Sequence, residues 1–275
     1  MKKYLPKIIG FIINLISCFS SQYAAKLAIQ LFSTPKKGRL NNSETLYLES
    51  SIQEEIIHES ISIKTYRWNG KKDTILLAHG WESNSYRWKD LIELLIQLDH
   101  TVIALDAPGH GGSGSKYFNA LLYSDCIHAV AKKFDVSTII GHSVGGMSIV
   151  FSQHKYKSPS IKKLILLGAP ADFLGVLKSY EQMMGYSKKV SNAITQYVLK
   201  HYNHLPEYFS ASEFSKSIKA KGLIIHDKKD RIIPYKDGLK FKQNYTNSEF
   251  VATKGFGHGL KSDIVYQHIL EFINA

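Results

Sequence analysis

The chain has 275 residues, 44% hydrophobic and 21% charged, with a formal net charge of +12. That length and mixture suit one large α/β domain with a sizeable core. Two cysteines, Cys18 and Cys126, allow no dense disulfide framework, and the lysines are spread in pairs rather than massed, which argues against a nucleic-acid partner. The chain opens with Met1-Lys2-Lys3 and an apolar run over residues 8–16, followed by Ser17-Cys18. The run is too short to span a bilayer. It fits a secretory signal with a lipoprotein-like Cys18, an amphipathic helix on a membrane surface, or a helix folded onto the domain. Residues 23–32 continue a helical apolar pattern that a signal does not need, so retained N-terminal helices over residues 1–34 are expected. The location expected is cytoplasmic with peripheral membrane contact, the alternative being an exported lipoprotein anchored through Cys18.

Residues 35–42 read as a polar, basic linker. Residues 45–68 alternate apolar with polar (Leu46, Leu48, then Ile61, Ile63), the mark of opening antiparallel strands, and Asn69-Gly70 is a turn signal. Short continuous apolar runs follow at residues 74–78, 101–105, 138–140 and 163–167, as expected of strands buried on both faces. Helical spacing separates them, as in Trp88, Leu91, Leu94, Leu95 and Leu98. Strands alternating with helices predict a mostly parallel, doubly wound sheet. Residues 171–217 break the alternation with a Tyr-, Met- and Leu-rich helical stretch, read as a small cap. Regularity resumes at residues 223–226 and near 249–252, and a last amphipathic helix closes the chain. The division expected is therefore residues 1–34 and one α/β domain over residues 35–275 that carries the cap.

The chemistry centres on Gly141-His142-Ser143-Val144-Gly145, a G-x-S-x-G sequence at a strand-to-helix turn. A serine exposed on so tight a turn crowds its neighbours, so glycine is required two residues to either side. A serine hydroxyl needs a base, and His258 in Gly257-His258-Gly259, after the last strand, is free to reach back over the sheet. His79, His142 and His226 read as structural. The glycine-rich loop 106–114 matches the spacing of a dinucleotide fingerprint but lacks its strand context and acidic partner, so no nucleotide is expected.

Five motifs occur in the order seen in the α/β-hydrolase superfamily: His79-Gly80-Trp81, Asp106-Ala107-Pro108-Gly109-His110-Gly111, the Ser143 elbow, Asp230-Arg231-Ile232-Ile233-Pro234, and Gly257-His258-Gly259. The chain resembles that superfamily from about residue 45 onward. The resemblance implies an α/β-hydrolase fold, a catalytic set of Ser143, Asp230 and His258, and an oxyanion hole from the amides of Trp81 and Val144. Asp227, in the same loop, and Asp172, after the preceding strand, are rivals for the acid. H-G-W in place of H-G-G-G leaves the lipase subclass unassigned. The implied reaction is hydrolysis of a small-molecule carboxylic ester or thioester through an acyl-enzyme, with no metal or organic cofactor. The serine excludes aspartate-nucleophile relatives such as haloalkane dehalogenases. Carbon–carbon bond hydrolases and serine peroxidases share the triad, and a non-catalytic binding protein on the same fold is the alternative from another class.

Overall fold

The computed structural model describes residues 4–275; the basic start Met1-Lys2-Lys3 lies outside them. Helices α1 (Leu5–Phe19), α2 (Ser21–Ser33) and α3 (Asn42–Leu48) come first, then strands β1 (Ile52–His58), β2 (Ile61–Trp68) and β3 (Lys72–Ala78). Alternation follows with α4 (Lys89–Gln97), β4 (His100–Leu105), α5 (Ala120–Lys133), β5 (Thr138–His142), α6 (Val144–Tyr156) and β6 (Lys163–Leu167). Helices α7 (Phe173–Met184), α8 (Lys188–Tyr202) and α9 (Ala211–Ser215) interrupt it before β7 (Lys221–Asp227), α10 (Tyr235–Asn244), β8 (Ser248–Thr253) and α11 (Asp263–Asn274).

The strands form one eight-stranded sheet in the order β1-β2-β4-β3-β5-β6-β7-β8. β2 runs antiparallel to both β1 and β4, and every other pairing is parallel. The winding direction reverses at β3, which has β4 on one side and β5 on the other. At such a reversal the connections leave the carboxyl ends of two neighbouring strands in opposite directions, and a crevice opens between them. Ala78 pairs with Gly141 there, so the loop after β3 and the turn after β5 emerge side by side.

Side-chain alternation divides the core. Ile75, Leu77, Val102, Ala104, Ile140, Ile165, Leu223 and Ile225 pack with α4 (Leu91, Ile92, Leu95) and α11 (Val265, Ile269, Phe272). The intervening Leu76, Ile103, Ile139, Leu164 and Ile224 are equally buried on the other face. This two-sided burial explains why the parallel strands read as unbroken apolar runs.

Two local readings need correction. Residues 45–48 are helical, not extended. Asn41 Oδ1 accepts the amides of Ser43 and Glu44 at 3.0 Å, and Glu44 returns a bond to the Asn41 amide at 3.0 Å. This reciprocal cap starts α3 against the period-2 pattern of Leu46 and Leu48. Residues 35–42 are also more than a linker. Gly38 O accepts the Gly111 amide at 2.8 Å, and Arg39 Nη1 donates to the carbonyls of Gly111 and Ser113 at 3.0 and 2.8 Å.

The chain divides into two compact units. Pro35–Ala171 with Ala211–Ala275 holds the whole sheet, and the described residues up to Thr34 join Asp172–Ser210 in the other. In the smaller unit Ile13, Ala24, Ala25 and Ala28 share a core with Leu177, Val190 and Ile194. Asn14 fastens α1 to the α7–α8 connection: its Nδ2 donates to Gly185 O and its Oδ1 accepts from Ser187 N, both at 2.9 Å. The N-terminal helices, expected to stand apart from a cap over residues 171–217, share one compact unit with residues 172–210. The core-facing sides of α1 and α2 match those of α7 and α8, while α9 belongs to the sheet unit. Cys18 is exposed and Cys126 buried, both as free thiols.

Candidate active site

β5 ends at His142 and α6 begins at Val144, which leaves Ser143 alone on the turn. Its backbone is forced to φ 54°, ψ −126°, a region that side chains rarely occupy, and its amide donates to Leu167 O at 2.8 Å. Close packing on both sides makes this turn possible. A Cβ on Gly141 would lie 2.7 Å from Gly145 and Gly146 atoms, and one on Gly145 would collide with the Ala78 carbonyl. The glycines of the motif therefore answer to close approach. Val144 is the first residue of α6, so its N–H has no acceptor within the helix and points outward from a positive dipole end.

The loop after β3 passes against this turn. A Cβ on Gly80 would sit 2.9 Å from Ser143 Cβ, and Trp81 follows directly. His79 braces the loop from below. Its Nε2 accepts the Ala107 amide at 2.9 Å and its Nδ1 donates to Gly80 O at 2.7 Å. Burial, with His110 nearby, holds its pKa well below the ordinary histidine value, so both bonds are those of a neutral ring. The Trp81 ring packs on His110 and Phe118.

The loop 106–114 is internally satisfied. Asp106 is fully buried and accepts from Ser85 N (2.8 Å), Ser85 Oγ (2.7 Å), Tyr66 OH (2.9 Å) and Gly112 N (2.8 Å). Gly111, at φ 47°, turns back over that carboxylate, which any Cβ would strike. One of the loop amides thus faces the protein's own anion.

The two loop aspartates have different work. Asp230 is buried and receives His258 Nδ1 at Oδ2, 2.7 Å away; its Oδ1 accepts the amides of Ile232 and Ile233 at 2.8 and 3.0 Å. Burial alone would raise its pKa. The His258 hydrogen bond and the two amides outweigh burial and hold it below the ordinary aspartate value. Asp227 instead ties its own turn to β8, accepting from Lys229 N (2.8 Å), Thr253 Oγ1 (2.9 Å) and Phe256 N (3.0 Å). Asp172 caps α7, accepting Gly175 N at 2.7 Å. Of the two loop aspartates, Asp230 is the one hydrogen-bonded to His258.

Three contributors to the site escape sequence reasoning. His142, which reads as structural in the sequence, lies beside His258: its ring is 4.8 Å from that of His258, and its Nε2 donates to His258 O at 2.8 Å. Burial, with Arg87 and His258 close by, keeps its pKa well below the ordinary value. Arg87 donates to Gly259 O at 3.0 Å while stacking on Trp88, and burial pushes its pKa down to about 10. Gly168, at φ 56°, ends β6 beside the Asp230–His258 pair, and a Cβ there would lie 3.5 Å from both Asp230 Oδ2 and His258 Nδ1. The one signal in the sequence was the placement of a glycine at a strand's carboxyl end; the reach of Arg87 had none.

Comparison with known proteins agrees with this architecture. A family model described as the alpha/beta hydrolase fold matches residues 73–196. A Mycoplasma pneumoniae protein named as an esterase/lipase is 29% identical over 120 residues, a match covering 43% of this chain and 44% of that protein. The non-heme chloroperoxidase CPO-A1 of Kitasatospora aureofaciens is 20% identical over 263 residues, covering 76% of this chain and 95% of its own. Among solved structures, an esterase from Exiguobacterium antarcticum superposes with a TM-score of 0.65 at 17% identity, covering 82% of this chain and 100% of that one. Taken with the mostly parallel eight-stranded sheet, the serine turn after β5 and the ordered loops at the strand ends, these likenesses lead to one conclusion: the chain has the α/β-hydrolase fold, and its residues 73–196 match the model of that family.

Proposed function

We propose that the protein is a serine hydrolase that cleaves a carboxylic ester or thioester through an acyl-enzyme on Ser143. The observation that carries this reading is the 2.7 Å contact between His258 Nδ1 and a buried Asp230 whose pKa is held low. An ionised carboxylate only accepts hydrogen bonds, so His258 Nδ1 must be the donor. The lone pair of the neutral imidazole is then on Nε2, the nitrogen available as a base. In the proposed reaction Ser143 Oγ attacks the carbonyl carbon as His258 Nε2 takes its proton. The amides of Val144 and Trp81 hold the oxyanion as the tetrahedral carbon forms. His258 returns the proton to the departing alkoxide or thiolate, and water repeats the sequence to release the acid. Asp230 fixes the tautomer and stabilises the imidazolium.

Labelling with a fluorophosphonate probe tests the nucleophile. Wild type is expected to label and Ser143→Ala to remain unlabelled with an unchanged fold. Labelling that persists in Ser143→Ala would remove the assignment, and an unreactive wild type would favour the non-catalytic binding protein. A panel of p-nitrophenyl esters of increasing chain length then reads the acyl preference. The likeness to a chloroperoxidase supports a second reading at the same site, in which hydrogen peroxide replaces water as the acceptor of the acyl group. Peracid formation on adding peroxide to an ester substrate would identify it.

A further inference from the structure

Helix α1 carries two faces of opposite character. One face packs inside its own unit through Ile13, Ser17 and Asn14, with Lys7 donating to Gln182 O at 2.7 Å. Gly10 lies so close to the Met184 carbonyl that any Cβ would collide with it. The other face consists of Leu5, Ile8, Phe11, Ile12, Leu15 and Phe19, all about half exposed or more, and Phe19 is 94% exposed. At 100° per residue these six occupy an arc of about 120° that contains no charged side chain among the described residues. Such a continuous stripe of large apolar side chains facing water marks an interaction surface.

We infer that α1 lies flat on an anionic lipid bilayer, its apolar stripe sunk to the headgroup–acyl boundary and the exposed lysines of its unit drawn toward the headgroups. Length excludes a span: 15 residues of helix reach roughly 22 Å, short of the roughly 30 Å hydrocarbon core. No described helix is long and apolar enough to cross a membrane. Charge chooses the occupant. Residues 1–34 carry four lysines and no acidic residue, and residues 172–210 carry four lysines to three acids. A second copy of this unit would set one net positive charge against another, whereas anionic headgroups complement it. One amphipathic helix alone binds membranes weakly, and the basic surroundings supply the second attraction that stable association requires. Lys26, Lys178, Lys188 and Lys189 are exposed on the same unit. The inference is independent of the reaction proposed above.

The test uses the full-length, unlipidated protein with sucrose-loaded vesicles of phosphatidylcholine, alone or with about one-third phosphatidylglycerol. Co-sedimentation is expected with the anionic vesicles, falling by about tenfold or more with phosphatidylcholine alone or at high salt. Phe11→Glu with Leu15→Glu is expected to lower partitioning at least about tenfold while the thermal melt stays unchanged, because both side chains face solvent. Ile8→Ser with Ile12→Ser is a milder second variant, in case the charged pair perturbs folding, and a drop of about threefold or more is expected. Absence of partitioning by wild type, or equal partitioning by wild type and both variants, overturns the inference. A dimer in sedimentation velocity that the substitutions dissociate, without vesicle binding, overturns it in favour of a second copy. A native chain found to begin at a lipidated Cys18 also overturns it, since α1 would then be removed.

Discussion

His142 donates its Nε2 proton to the backbone carbonyl of His258, 2.8 Å away, so the residue before the serine holds the residue proposed as its base. The two loops leave β5 and β8, which are not neighbours in the sheet. This bond spans 116 positions of sequence and sets one loop against the other. His142→Ala is expected to lower kcat on the order of tenfold with little change in KM, since one net hydrogen bond is worth about 1 kcal/mol and the substrate's own contacts remain. His142→Gln, which keeps a donor, should recover part of the loss. A positioning role also predicts a shift in the acidic limb of the kcat/KM pH profile, which a purely structural defect would leave in place.

The backbone of Ser143, at φ 54° and ψ −126°, is strained for any residue with a Cβ. Ser143→Gly should therefore melt higher than Ser143→Ala by the equivalent of about 1 kcal/mol, both being unreactive toward the probe. Equal melting points would show that the turn costs nothing.

The two aspartates separate chemistry from architecture. Asp230→Asn is expected to reduce kcat by about a hundredfold or more, because an amide opposite Nδ1 favours the wrong tautomer. Asp227→Asn replaces an acceptor of three hydrogen bonds, so its cost falls on stability, about 1–3 kcal/mol, with kcat within about tenfold of wild type. The checks are kcat on any ester turned over by wild type and a thermal melt of each variant. The reverse pattern would exchange the two roles.

His79, His110 and His142 all have pKa values held down by burial. The unfolded chain takes up protons on these rings below about pH 6.5 while the folded chain resists, so stability falls as pH drops through that point. The slope is about 1.4 kcal/mol per pH unit for each ring that stays neutral. Asp227 and Asp230 are held below the ordinary aspartate value, so their contribution is lost only at lower pH. Melting points between pH 7.5 and 5.0 should decline in wild type and decline less steeply in His110→Gln. A flat profile would show that these rings titrate alike in both states.

Much of this protein was legible in its residues alone. Unbroken apolar runs identify strands buried on both faces, and the glycines around Ser143 identify a turn with no room for side chains. Both are local constraints, imposed within a few residues of the chain. The capping pair Asn41 and Glu44 was also local, yet the period-2 pattern of Leu46 and Leu48 concealed it. Asp227 and Asp230 lie three residues apart in one loop, and nothing in their spacing says which carboxylate turns toward β8 and which toward His258. Arg87 reaches Gly259 across 172 positions, and α1 finds its core partners in α7 and α8 from the far end of the chain. Those outcomes depend on which strand ends the sheet order makes neighbours and which apolar helix faces match, and only the folded chain decides them.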